Sequence, residues 1–134
     1  MKVCFKNLTK SFNPEQIKVI KKFLLFLQEE IPLNKDIQIS FLEKRRNGMT
    51  TGERGSYHII NILAHKRLLI DILRTLSHEM VHEFQHQKLG LKEKIKIKDI
   101  GGPEENMCNI LSGIFMKKFQ KKYPKFDKIL YDEE

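Results

Sequence analysis

The hydrophobic residues of this chain change period along its length. After Asn13-Pro14-Glu15, the apolar positions Ile17, Ile20, Phe23, Leu24 and Leu27 recur at helical spacing. Asn as N-cap, Pro at the first helical position and an acid in the first turn predict where this helix starts. Pro32 predicts that it stops just before. From Asp36 to Leu42 the period falls to two. Ile37, Ile39 and Phe41 alternate with polar residues, which predicts a strand with one buried face. Arg45-Arg46-Asn47-Gly48 carries an Asn-Gly turn signal. Met49-Thr50-Thr51 predicts the start of a second short strand, and Gly52 to Gly55 a turn. The β-branched and aromatic stretch from Ser56 to Leu63 predicts a third strand.

From about Lys66 to Lys88 the helical period returns. Leu69, Ile72, Leu73, Leu76, Met80 and Phe84 fall on one stripe, roughly 100° wide. Gly90 suits the position after the helix end. The stretch LKEKIKIKDI alternates Leu91, Ile95 and Ile97 with lysines, as a half-exposed strand or extended loop would, until Gly101-Gly102-Pro103 stops it. Pro103-Glu104-Glu105 opens a last long helix that ends near Tyr123-Pro124. Its expected core stripe is Met107, Ile110, Leu111, Ile114, Phe115 and Phe119. Helix, strands, helix, helix is an α+β order. It predicts a small, mainly antiparallel sheet packed against an N-terminal helix, the helix carrying residues 78–82, and a C-terminal helix.

With 134 residues, 40% of them hydrophobic and 31% charged, the chain is expected to form a single soluble domain over residues 1–134. No apolar run approaches the roughly 18 residues that cross a bilayer. The N-terminal MKVCFKNLTKSFNPEQ lacks the continuous apolar core of a secretory signal. Cys4 and Cys108 are too few for a disulfide framework, which fits two free thiols in a reducing compartment such as the cytoplasm. The net charge of +8 gathers at Lys92, Lys94, Lys96 and Lys98 and at Lys117, Lys118, Lys121, Lys122 and Lys125. These lysines read first as solvated faces and second as weak phosphate contacts.

The candidate chemistry lies in LSHEMVHEFQH. His78 and His82 are four apart, so a helix stacks them on one face, roughly opposite Leu76 and Met80. Two such imidazoles suit two corners of a zinc tetrahedron, and the neighbouring Glu79 suits a general base acting on an attacking water. A catalytic zinc needs a third protein ligand and an open fourth position. His86 is eight residues from His78, about 12 Å along a straight helix, which is too far for both to reach one ion. Cys108 is chemically able to ligate, but it reads first as a core residue. Glu105, in the first turn of the next helix, is the favoured third ligand. Asn109, one turn later, is expected to hydrogen-bond a ligand histidine, and Ser112 and Gly113 to let the two helices approach. Glu104 reads as a charge near a helix N-terminus.

His78, Glu79, His82, Glu105 and Asn109 together resemble a zincin metallopeptidase of the gluzincin type. DILRTLSHEMVHEFQH and EENMCNILSGIFMKKF resemble the small zincin-like proteins encoded by phages and related to the SprT-like and ImmA/IrrE-type minimal metallopeptidases. MTTGERGSYHIINI resembles the strands before the active-site helix in that group. The resemblance covers roughly residues 36–123, with Met107 and Cys108 standing where Glu and Ala are common. It implies a zinc-dependent peptidase with His78, His82 and Glu105 as ligands, Glu79 as base and a peptide or protein as substrate. In a phage-encoded protein the compartment would be the host cytoplasm.

Tyr57, His58 and Tyr123 are candidate donors to a developing oxyanion. The strand from Ser56 to Leu63 is a candidate edge for an extended peptide. Two other functional classes stand beside peptidase chemistry: a DNA-associated protein using the lysines, as SprT-like relatives would imply, and a metal-stabilised binding module without turnover.

Overall fold

The computed structural model describes residues 3–8, 12–46, 48–55, 58–88 and 103–132. The chain opens with strand β1 (Val3–Leu8), which the alternation of the N-terminus had not marked, followed by helix α1 (Pro14–Glu30). The expected cap of α1 is present. The Asn13 side chain accepts from the backbone N–H of Gln16 at 2.8 Å, and the Gln16 side chain accepts from the Asn13 N–H at 2.9 Å. This reciprocal box satisfies two donors that a helix start would otherwise leave without partners.

Strands β2 (Ile37–Leu42), β3 (Gly52–Arg54) and β4 (Ile59–Leu63) follow, then helices α2 (Leu69–Lys88) and α3 (Pro103–Lys122). A turn at Pro124–Phe126 and the short helix α4 (Asp127–Leu130) complete the described chain. The sheet order is β1-β2-β4-β3. β1 pairs with β2, and β2 with β4, in parallel, and only β3 is antiparallel to its neighbour. The expectation of a mainly antiparallel sheet is therefore corrected to a mixed one. The reason is the crossover: α1 carries the chain back to the end at which β1 began, so β2 must run alongside it in the same direction. The expected turn at Gly52 to Gly55 is also corrected, because Gly52–Arg54 is itself strand β3.

The core lies between the sheet and α1, α2 and α3. Phe23, Phe41, Phe119, Ile39, Ile60 and Ile62 are fully buried, as are the expected α2 positions Leu69, Ile72, Leu73, Leu76 and Met80. Phe119 is the centre of an aromatic group. Its ring lies 4.9 Å from Phe23, 5.6 Å from Phe26 and 5.2 Å from Tyr123, in edge or tilted geometry that aromatic quadrupoles favour. On α3 the expected stripe holds at Phe115 and Phe119 but fails at Ile110 and Ile114, which are 62% and 42% exposed. The inward face is instead Glu105, Cys108, Ser112, Phe115, Met116 and Phe119. Polar residues occupy its first half because that half of α3 lies against the histidines of α2. Gly90, the alternating stretch 91–100 and the Gly101-Gly102 stop lie outside the described residues. No helix among the described residues is long and apolar enough to cross a membrane.

Candidate metal centre

Helix α2 is buried on nearly every side, by the sheet, α1 and α3, so its polar residues must find partners inside the fold. Ser77, Glu79, His82, Glu83 and Gln85 are all buried. As four-residue spacing requires, His78 and His82 stand on successive turns, with ring centroids 4.9 Å apart. The two rings face the first turn of α3. Glu105 spans them: its carboxylate oxygens lie 3.0 Å from His78 Nε2 and 3.1 Å from His82 Nε2. The three residues expected to share an ion are thus brought together from two helices.

The other edge of the His82 ring is held by Gln85 and Cys108. Gln85 Nε2 donates to the backbone carbonyl of Glu104 at 2.9 Å, which fixes the orientation of the amide. Its Oε1 therefore faces His82 Nδ1, 3.0 Å away. Because that oxygen can only accept, Nδ1 carries the proton, and in the neutral ring Nε2 offers its lone pair toward Glu105. Cys108 Sγ lies 3.3 Å from the same Nδ1 and 3.8 Å from Gln85 Oε1. Burial pushes the Cys108 thiol upward, the carboxylates of Glu105 and Glu79 push it further, and the Gln85 hydrogen bond opposes them.

Donor atoms of His78, His82 and Cys108 lie within 4.8 Å of one another, a group that can hold a metal ion. Two donor sets therefore share the histidines, one completed by Glu105 and the other by Cys108. They meet opposite edges of the His82 ring. Ligand atoms about 2.0–2.2 Å from a tetrahedral ion sit roughly 3.3–3.6 Å apart. The Glu105 contacts at 3.0 and 3.1 Å come within a few tenths of an ångström of that spacing. On His82 they use the nitrogen opposite the one already bonded by Gln85. The residues present, two imidazoles with a thiol and a carboxylate beside them, are of the types that could hold a divalent ion.

Glu79 is buried next to His78, and strand β3 lies against it. A Cβ added at Gly52 would stand 2.4 Å from Thr75 Cγ2 and 3.3 Å from Glu79 Cγ, so only glycine permits this approach. β3 is the sheet edge beside Glu79. β4 is interior, between β2 and β3, so the strand within 56–63 is not the free edge it was expected to be.

Several expected roles change. Asn109 is exposed rather than bonded to a ligand histidine, and its backbone carbonyl accepts from Ser112 Oγ at 3.1 Å. The residue three positions after Glu105, not four, turns toward His82, and that residue is Cys108. Gly113 meets nothing within 4 Å of an added Cβ, so it does not set the helix approach, whereas Ser112 is buried. His86 is half-buried and outside the donor group. His58 meets Glu83 instead of an oxyanion position, and Tyr123 packs on Phe119 and Phe126. Tyr57 and the lysines at 92–98 lie outside the described residues. Gln85 was missed because its role depends on the phase of two packed helices. Only the run of polar residues on an otherwise apolar helix signalled it.

Comparison with family models, with curated proteins and with solved structures returns no match to this chain.

Proposed function

We propose that this protein is a zinc-dependent peptidase of the gluzincin kind, with His78, His82 and Glu105 as ligands and Glu79 as general base. One observation carries the reading. Gln85 holds the proton of a neutral His82 ring on Nδ1, which leaves Nε2 as the donor atom facing a carboxylate oxygen 3.1 Å away. Two acceptors hold that distance only with a positive centre between them or with the ring fully protonated. His78 Nε2 lies 3.0 Å from the other oxygen of the same carboxylate. An ion there satisfies both histidines and the carboxylate at once.

Zinc, when bound, polarises a carbonyl and makes water acidic enough to attack near neutral pH. The chain's own residues supply the rest. His78 and His82 present nitrogen donors on one helix face, and Glu105 contributes the charge that partly neutralises the ion. Glu79, one residue after His78, takes the proton of the attacking water and hands it to the leaving amine. β3 supplies the adjacent edge. In its antiparallel pairing with β4, the hydrogen-bonding groups of Gly52 and Arg54 alternate away from β4, the direction from which an extended peptide would pair.

The test compares zinc-loaded wild type with Glu79→Gln on a broad peptide library, with metal analysis of both. Glu79→Gln should keep its zinc and lose cleavage. Normal proteolysis by that variant would overturn the assignment of the base.

A second reading rests on the exposed lysines of α3 and the turn after it, Lys117, Lys118, Lys121, Lys122 and Lys125. They would give weak contact with nucleic-acid phosphate alongside the peptidase site. Steep salt dependence of DNA binding would support it, and no binding at low salt would remove it.

A further inference from the structure

Glu83 directly follows His82, is fully buried, and takes no part in the donor set. Three side chains from three parts of the chain converge on it. Arg54 Nε donates to Oε1 at 2.8 Å, His58 Nδ1 meets Oε2 at 2.5 Å, and Gln87 Nε2 donates to the same oxygen at 2.5 Å. Gln87 in turn accepts the backbone N–H groups of Asn34 and Lys35 at 2.9 and 3.0 Å. Arg54 ends β3, His58 stands in the turn before β4, and Asn34 lies between α1 and β2. Strand β3 and the turn before β4 are therefore tied to one carboxylate of α2, and the segment before β2 is joined to it through Gln87.

We infer that the Arg54–Glu83–His58 network positions edge strand β3 along the helix that carries Glu79, so that the peptide-binding edge is built before substrate arrives. This rests on the peptidase reading above. β3 has three residues and a strand partner on one side only, a combination that frays unless something else holds it. It is held at both ends. Gly52 seats against Thr75 and Glu79, and Arg54 reaches Glu83. The spacings match. Two strand residues advance about 6.6 Å, and the four helix residues from Glu79 to Glu83 advance about 6 Å. Strand and helix can thus be fastened at two points without either bending. His58 has φ 63, a left-handed conformation that costs a non-glycine residue energy. Its bond to Glu83 offsets that cost and fixes the turn from which β4 departs. A buried ion pair is a poor means of adding stability but a good means of fixing register, since neither partner is satisfied in a shifted alignment.

Arg54, His58 and Glu83 are therefore positioning residues. The test uses the zinc-loaded full chain as wild type, Glu83→Gln and Arg54→Gln, the second in case the first fails to fold. Backbone amide exchange is read first. The amides of Glu53 and Gly55, on the side of β3 that faces β4, should exchange at least tenfold faster in either variant. Those of Ile72 to Leu76 should be unchanged, and zinc content should stay at the wild-type level. Unchanged exchange in β3, or an equal rise throughout the protein, would overturn the inference, and this holds whether or not any peptide is cleaved. Peptide kinetics are read second. KM should rise about tenfold while kcat changes less than threefold, because the edge contributes binding that is equal in ground and transition states. A fall in kcat at constant KM, or loss of zinc, would assign the network to the metal centre instead. If wild type cleaves nothing while β3 loosens as expected, the peptidase reading fails and the positioning of β3 stands.

Discussion

Gln85 Oε1 lies 3.0 Å from His82 Nδ1, and the same amide reaches across to α3 through the Glu104 carbonyl. One side chain thus holds the ring of a proposed ligand histidine and joins the two helices that carry the candidate donors. Partners of this kind are worth about 10–100-fold in metal affinity. Gln85→Leu should weaken zinc binding by about that factor, whereas Gln85→Glu, which keeps an acceptor at Nδ1 but sets an oxygen against the Glu104 carbonyl, should recover only part of the loss. Competition against a chromophoric chelator measures both. Equal affinity in all three proteins would remove Gln85 from the site.

The two donor sets make opposite forecasts. If Glu105 completes the site, Glu105→Gln should cut zinc affinity by at least about a hundredfold, the effect of losing one charged ligand of three, about 2.7 kcal/mol. Cys108→Ser should then keep full stoichiometry, since Cys108 meets only the Nδ1 edge of His82. Metal analysis after dialysis against a weak chelator distinguishes them. Zinc lost from the serine variant and kept by the glutamine variant would transfer the third position to the thiol.

Gly52 and Gly113 should respond oppositely to alanine. At Gly52 the new methyl would stand 2.4 Å from Thr75 Cγ2, a side chain itself held by Arg67 at 2.7 Å. Overpacking of this kind destabilises by about 1–3 kcal/mol. Gly113 sits inside α3 with open space at its Cβ, so alanine there should stabilise by about 0.5–1 kcal/mol. Urea unfolding of the metal-free proteins gives both values. In the Gly52→Ala background, Thr75→Ser should recover part of the loss by removing the methyl in the way.

The parts of this structure that were legible in the sequence are those that depend on neighbours in the chain. The start of α1 was written in Asn13 and Pro14, and that of α3 in Pro103. The α2 stripe from Leu69 to Met80 packs as its periodicity required. His78, Glu79 and His82 were local as well, and Glu105 could be found because a third ligand had to come from elsewhere. The unread parts depend on pairing between distant segments. The parallel register of Val3 with Ile37 has no local signature. The inward face of α3 defied its apolar pattern because Glu105 and Cys108 are drawn toward His82, which rotates Ile110 and Ile114 into solvent. Glu83 carries no local mark of its role, because its partners Arg54 and His58 come from β3 and the turn before β4.

His82 and Glu105 stand 23 positions apart in the chain. An ion shared between them would close a covalent loop of that size. In chain-entropy terms a permanent link over about 24 residues is worth about 3.5 kcal/mol. Cys4 and Cys108 form no such link. The ion would then be a removable staple, fastening the first turn of α3 to α2. Stripping it should loosen the start of α3 as well as silence the chemistry, so that metal supply to the cell would govern the lifetime of the folded chain along with its activity.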